Sequence, residues 1–229
     1  MALKLKEIQM DLPFIYSDDI SNEESVKLYQ TTWKDKRREF QLFSRCMTSM
    51  IERLMPSIDT KNYWKIIIEC VEGTPKAVGI YMPEILFVQV LFDIDCFYKF
   101  DNYEKKKYII NKVLEAVDYL TSCGYLELYE LKQTCDVIIK SNYVNEWLWK
   151  KPVKLKNKSV QIKVLHEVDK VSIYMVFKDE DKIVEEVLLV EDIPDEWVYS
   201  KYLGKLEWVS ENKAQLTTKS GDVYYGEIF

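Results

Sequence analysis

Apolar residues recur at steps of three and four along residues 22–54, which is the spacing of one face of an α-helix. The run begins at Ser21-Asn-Glu-Glu24, a capping-box sequence in which the serine and the glutamate bond each other's backbone amides. Pro56 lacks a backbone donor and ends the pattern. The sequence predicts one long amphipathic helix with these apolar positions: Val26, Tyr29, Trp33, Phe40, Phe43, Met47, Met50, Ile51 and Leu54.

All four arginines of the chain fall on this predicted helix, at Arg37, Arg38, Arg45 and Arg53. Acidic residues are interspersed with them at Asp35, Glu39 and Glu52. The mixture favours a solvated helix face over a phosphate-binding one.

The middle of the chain alternates between β-branched runs and further helical patterns. Three strands are predicted there, over Tyr63–Val71, Lys76–Met82 and Ile85–Asp95. Asp101-Asn-Tyr-Glu104 is a second capping box, and Gly124 is the expected end of the helix that it opens. The spacing of apolar residues predicts another helix over Leu128–Ile139.

From about Pro152 onward, short alternating runs are separated by turn-forming residues. The runs are Val160–Val168, Val171–Phe177, Ile183–Val190, Leu203–Val209, Ala214–Thr218 and Val223–Ile228. This change predicts an α+β fold with a helix–sheet–helix domain over residues 1–150. An antiparallel β-meander or small barrel is predicted over residues 151–229.

The chain contains one histidine, His166, within a predicted strand. It shares the alternating register of Val160, Ile162 and Val164, so we expect it on the buried face. Histidine is the commonest general acid or base and a frequent metal ligand. If His166 is buried, the chain has no accessible histidine to act as the general acid, general base or metal ligand of a catalytic site.

Composition excludes several further classes of protein. The five cysteines include no CxxC pair and lie at least twelve residues apart, so neither a zinc cluster nor a disulfide framework is expected. No secretion signal or stretch of roughly 20 apolar residues is present, which predicts a cytoplasmic protein without membrane contact. We expect no cofactor, because nucleotide-binding and hydrolase motifs are absent.

The net charge of −6 argues against a non-specific nucleic-acid binder. The charges are unevenly distributed, since residues 150–170 carry a net charge of +5 and residues 179–196 carry −8. The acidic residues of the second segment are Asp179, Glu180, Asp181, Glu185, Glu186, Glu191, Asp192, Asp195 and Glu196. The two segments either pair across a hairpin or leave an acidic surface for a basic partner protein.

Aromatic residues directly follow this acidic segment, at Trp197 and Tyr199. Such residues are frequent anchors of protein interfaces, and carboxylates around them steer a basic partner. We expect both to contribute to partner binding. The alternative is that these rings, like those of Tyr143–Trp149, hold the two halves of the chain together. Pro194 is expected at the first position of a short helical turn over Ile193–Tyr199.

The most enzyme-like feature is Asp93 and Asp95, which follow the apolar residues of a predicted strand. Carboxylates two residues apart on a strand share one face and can bind Mg²⁺, with Glu69 or Glu72 supplying a further ligand. The competing interpretation is that they cap a following helix.

At the level of class only, an acidic, aromatic-rich α+β chain without catalytic equipment resembles bacterial immunity or antitoxin proteins. Many of those proteins are acidic because nuclease toxins are basic. The leading prediction is a non-catalytic protein-binding module that neutralises a toxin by occluding it. One alternative is a metal-dependent phosphoesterase that uses Asp93 and Asp95. A second is a structural or regulatory subunit of a larger assembly.

Overall fold

The structure, a computed structural model, describes residues 3–15, 19–75 and 79–228. Helices and strands are mixed in the predicted α+β manner. The chain divides into two compact units, Met1–Val144 and Asn145–Phe229. Residue 150, after which the sequence-based boundary was placed, lies within a strand of the second unit.

The first unit contains five described helices: α1 (Asn22–Leu28), α2 (Lys34–Leu54), α3 (Ile94–Lys99), α4 (Asn102–Ser122) and α5 (Tyr129–Lys140). Both predicted capping boxes are present, at Ser21 before α1 and at Asp101 before α4. The predicted long helix is interrupted, because a π-helical turn at Tyr29–Trp33 joins α1 to α2. Val26, which the sequence pattern assigned to the apolar face, is exposed.

Six described strands belong to the first unit: β1 (Leu3–Lys4), β2 (Glu7–Asp11), β3 (Asp59–Lys61), β4 (Lys65–Val71), β5 (Gly79–Met82) and β6 (Ile85–Leu91). Four of them form a sheet in the order β2-β4-β6-β5, in which β2, β4 and β6 are parallel. The edge strand β5 is antiparallel to β6. Residues 76–78, predicted to start this edge strand, lie outside the described residues.

Aromatic packing joins the helices of the first unit to its sheet. Phe40 of α2 lies edge-on to Phe92, which directly follows β6, with ring centroids 5.2 Å apart. Phe97 of α3 completes the cluster at 5.5 Å from Phe40 and 5.3 Å from Phe92. All three rings are fully buried, so this cluster packs α2 and α3 against the residue that follows β6.

The second unit contains seven described strands: β7 (Glu146–Leu155), β8 (Lys158–His166), β9 (Val171–Asp179), β10 (Lys182–Asp192), β11 (Lys205–Trp208), β12 (Lys213–Thr217) and β13 (Val223–Glu227). They form two antiparallel sheets in the orders β10-β9-β8-β7 and β11-β12-β13. The helix α6 (Glu196–Tyr199) and a 3₁₀ turn at Ser200–Tyr202 connect the sheets.

The two sheets share one apolar core, to which alternate residues of β8 and β9 contribute on one side and Ala214 and Leu216 of β12 on the other. A Cβ atom at Gly226 would lie 2.7 Å from Met175 Sδ, so β13 approaches this core more closely than a side chain permits. The predicted meander is confirmed. The barrel alternative is wrong for residues 145–228, whose strands form two separate sheets.

His166 lies in this core, as its register predicted. It is the last residue of β8 and is fully buried. Its backbone N–H donates a 2.9 Å hydrogen bond to the Asn145 carbonyl oxygen. The imidazole ring therefore belongs to the packed interior of the second unit.

Candidate protein-binding surface

The acidic segment forms the outer part of the second unit's larger sheet. It begins at the end of β9, passes through a tight turn, continues along the edge strand β10 and ends in α6. Because the position is at a sheet edge, its residues differ widely in exposure and in their partners.

The turn between β9 and β10 consists of Glu180 and Asp181. Their φ angles are +46° and +66°, so both residues lie in the left-handed region, as a two-residue type I′ turn requires. Asp179 accepts a hydrogen bond from the side chain of Asn157, and the N–H of Glu180 donates to the Asn157 carbonyl at 3.1 Å. These contacts hold the turn and leave both of its carboxylates exposed.

Three acids of the segment form ion pairs with lysines of the same unit. Glu186 pairs with Lys163, and Glu191 pairs with Lys170 at 2.5 Å. Both lysines come from the basic segment 150–170, so the two segments pair in part. Lys170 precedes β9, the hairpin partner of β10, whereas Lys163 of β8 reaches Glu186 across β9. Asp192 lies 3.4 Å from the ammonium of Lys201. These pairs neutralise part of the negative charge that the sequence assigns to this surface.

The hydrogen bonds of the paired acids also change their pKa values. The bonds from Lys170 and Ser172 lower the pKa of Glu191. Burial alone would raise the pKa of Asp192, but hydrogen bonds from the Tyr202 hydroxyl at 2.7 Å, the Ile193 amide and Lys201 lower it. The lowered pKa values favour the ionised form of both carboxylates, which bond to residues of the same unit.

A compact group near the hairpin tip remains directed to solvent. The carboxylates of Glu180, Asp181 and Glu185 are exposed, and Ile183 and Val184 lie between them with 57% and 50% of their surface accessible. The sequence pattern missed these two apolar residues as surface candidates, because apolar residues in a strand were assigned to the core. We call residues 180–185 the hairpin tip.

The edge strand itself is irregular. Its register with β9 shifts between Ile183 and Glu185 and again between Leu188 and Val190. Such bulges interrupt the regular row of backbone donors and acceptors along a strand. A partner is therefore expected to recognise this edge by its side chains and not by adding a continuous strand.

The helix α6 presents Trp197 to solvent. Asp195 caps this helix, accepting a 3.0 Å hydrogen bond from the Trp197 amide, and it is only 7% exposed. Tyr199 is 3% exposed and packs in the core. Between these two fixed points, the Trp197 side chain is 92% exposed.

This arrangement corrects three predictions about the segment. Tyr199 is a core residue and Asp195 a buried helix cap, so neither has the exposure that a partner contact requires. Pro194 lies before the cap and not at the first helical position, which Glu196 occupies. Trp197 alone of the two predicted aromatics has the exposure of an interface anchor, with the partly buried Glu196 beside it.

Asp93 and Asp95 are arranged differently from the magnesium site that the sequence suggested. Strand β6 ends at Leu91, and the Asp93 side chain caps α3 by accepting a 2.8 Å hydrogen bond from the Cys96 amide. Asp95 lies in the first turn of that helix. The shared strand face required by the metal hypothesis is absent, and the helix-capping interpretation describes Asp93 correctly.

Glu69 accepts a 2.9 Å hydrogen bond from Gln89 on the neighbouring strand β6. In the part of the chain that the structure describes, no group of three or more His, Cys, Asp or Glu side chains is placed to hold a metal ion. Likewise, none of the helices within the described ranges has the length and apolarity needed to cross a membrane.

Comparison with known proteins gives no relative. No protein-family profile, curated protein or solved structure matches this chain.

Proposed function

We propose that the protein is a binding module that recognises a basic partner protein through Trp197 and the acidic hairpin tip. The observation that carries this proposal is the 92% exposure of Trp197 on a turn held at both ends by buried residues. A tryptophan is costly to leave in water and is the residue most enriched among the energetic anchors of interfaces.

The fixed turn favours binding because little conformational freedom is lost on association. Asp195 and Tyr199 hold the backbone on either side of Trp197. Only the two side-chain torsions of the tryptophan remain to be ordered by a partner. Preorganisation of this kind raises affinity by lowering the entropic cost of binding.

The hairpin tip supplies negative charge and additional apolar area. Eight residue steps separate Val184 from Asp192 on β10, which corresponds to about 27 Å at the rise of an antiparallel strand. A standard interface covers about 800 Å² per partner, roughly 32 Å across if it is circular. An interface of this size is comparable with the length of β10 between the hairpin tip and Asp192, and we propose that one partner contacts both the tip and Trp197.

The partner class that fits best is a basic toxin, and the proposed biological role is that of a bacterial immunity protein acting by occlusion. Complementary charge increases the rate of encounter with such a partner. We place the protein in the cytoplasm, where a reducing environment is consistent with five cysteines that no disulfide joins.

The experiment is a binding measurement with the proteins encoded beside this chain, each purified and titrated against the wild type and two variants. Trp197→Ala is expected to weaken binding at least tenfold by increasing the dissociation rate. The triple charge reversal Glu180→Lys, Asp181→Lys and Glu185→Lys is expected to lower the association rate, most strongly at low salt.

Tyr129→Ala is the matched control, since Tyr129 is an exposed aromatic residue of the first unit. Its affinity should equal that of the wild type. The proposal fails if no neighbouring gene product binds, or if Trp197→Ala and the triple variant bind as tightly as the wild type.

A further inference from the structure

The two outer strands of the larger sheet in the second unit carry opposite charges. Strands β7 and β10 lie at its two ends, and each has one edge that no other described strand pairs with. Residues 150–154 of β7, which we call the basic edge, contain three exposed lysines and no acid. The hairpin tip, which leads into β10, contains three exposed carboxylates and one lysine. The sheet therefore has a positive and a negative edge.

The lysines of the basic edge are not neutralised within the described part of the chain. The side chains of Lys151 and Lys154 form no ion pair with any described residue. The Lys150 ammonium lies 4.1 Å from the centroid of the Trp149 ring, a contact that leaves its charge in place. Without Lys150, the basic edge still has a charge of +2. The lysine of the following turn is already paired with Glu211 and is therefore not counted.

The hairpin tip has a matching negative charge. Its carboxylates, on Glu180, Asp181 and Glu185, likewise form no ion pair within the described ranges. Lys182 is the one base in this part of the sequence and brings the net charge of the tip to −2. The last two residues of β9 are a lysine and an aspartate, whose charges offset each other. The charge of the tip is therefore equal and opposite to the +2 of the basic edge.

Both charged edges lie at the same end of the sheet. A row of paired residues crosses all four strands at this end, through Lys154, Ser159, Lys178 and Ile183. A second copy displaced by the width of four strands, about 19 Å, would bring its β10 beside β7. The two strands would run antiparallel, and the lysines of one copy would lie level with the hairpin tip of the other.

The basic edge is irregular, as β10 is. The pairing of β7 with β8 shifts between Trp149 and Val153. Within this shift Lys150 has a φ angle of +56°, and Pro152 has no N–H to donate. Bulges, prolines and lysines prevent continuous backbone pairing at a sheet edge. Contact between the two edges is therefore made by side chains, which makes it weak and sensitive to salt.

From this arrangement we propose that the basic edge of one copy binds the hairpin tip of a second copy. Lys151 and Lys154 approach the three carboxylates, and the exposed Ile183 and Val184 add apolar area to the contact. Because the two copies use different surfaces, the contact is heterologous and can repeat from copy to copy. It also covers the hairpin tip, so a second copy competes with the basic partner proposed above. The association itself does not depend on that partner.

Sedimentation velocity of the full chain tests this association over a range of protein concentrations. The wild type is expected to sediment faster as its concentration rises at low salt. This increase should disappear in roughly 0.5 M salt, where the Debye length is about 4 Å. The double variant Lys151→Glu with Lys154→Glu should stay monomeric, because its two edges repel each other. The triple variant Glu180→Lys, Asp181→Lys and Glu185→Lys should stay monomeric for the same reason.

A mixture of these two charge-reversed variants provides the decisive measurement. Each variant has one reversed edge, so contacts between unlike copies again join opposite charges. The mixture should therefore associate, although neither variant associates alone. The matched control is Lys107→Glu with Lys219→Glu, since both lysines are exposed and lie outside this sheet. The control should associate as the wild type does.

Three results would overturn the proposal: a wild type that stays monomeric at low salt, association that both charge reversals leave unchanged, and a mixture that stays monomeric. An equal loss in the control would also overturn it, because association would then depend on net charge and not on the two edges. Trp197→Ala should leave self-association unchanged, since α6 belongs to neither edge. Failure of self-association is thus distinguished from failure of partner binding.

Discussion

The ring of Tyr199 packs edge-on against the ring of His166, with 5.6 Å between their centroids and 78° between their planes. The contact joins the helix α6 to the end of β8 within the core of the second unit. It uses the chain's one histidine as a packing surface and fixes the turn that carries Trp197. Loss of the Tyr199 ring should therefore affect both stability and partner binding.

Tyr199→Ala is expected to lower the free energy of unfolding by about 3 kcal/mol, because it leaves a cavity beside His166. Trp197→Ala should change that free energy by less than about 0.5 kcal/mol, since its side chain is exposed. Urea unfolding of both variants measures the difference. Equal destabilisation by the two substitutions would contradict the packing of Tyr199 in the core and the exposure of Trp197.

Gly204→Ala is expected to destabilise the second unit by about 3 kcal/mol, a cost typical of forced overlap in a packed region. The added Cβ would overlap the Thr217 carbonyl oxygen and lie 2.8 Å from the Thr218 carbonyl carbon. Both neighbours are backbone atoms and cannot rotate away. Gly73→Ala is the control, because no atom lies within 4 Å of its added Cβ.

Replacement of the turn Glu180-Asp181 by Asn-Gly is expected to stabilise the protein by about 1 kcal/mol. Asparagine and glycine adopt the left-handed conformation at lower cost than the two natural residues, whose φ angles are both positive. Chemical unfolding should show a higher midpoint with an unchanged slope. Asp181→Ala provides the opposite test and should lower the midpoint.

Tyr202→Phe removes the 2.7 Å hydrogen bond to Asp192 and is expected to cost about 1 kcal/mol at neutral pH. The bond helps to lower the pKa of Asp192 below its ordinary value of 3.8. Its contribution is therefore complete above that value and is lost as the pH falls through the folded-state pKa.

The stability difference between wild type and Tyr202→Phe should consequently be constant from about pH 7 to pH 5 and decrease below about pH 4. Unfolding curves recorded across this range measure it. A difference that stayed constant down to pH 2 would show that the hydroxyl does not act through the Asp192 carboxylate.

Local signals in the sequence predicted much of the fold. The capping boxes at Ser21 and Asp101 need only neighbouring residues, and both are present. The alternation in β8 likewise placed His166 correctly in the core. In contrast, β2 was not predicted, because a run of five residues has only two alternating apolar positions, Ile8 and Met10, and so short a pattern is a weak signal.

The candidate surface was harder to predict because exposure at a sheet edge depends on partners distant in sequence. Lys163 reaches Glu186 across the sheet, and only the strand order brings these residues together. Trp197 and Tyr199 are two residues apart in one short helix, yet one is exposed and the other buried. Composition cannot distinguish them, whereas the position of the Asp195 cap does.

The π-helical turn at Tyr29–Trp33 also sets the rotational phase of the first helical segment. It accommodates one residue more than a regular α-helical path, and each residue rotates a helix by about 100°. Deletion of one residue within it would join α1 and α2 in continuous phase and turn Val26 and Leu28 away from their present exposed positions. The segment before the turn can thus change its outward face by a single insertion or deletion while the buried face of α2 stays in register.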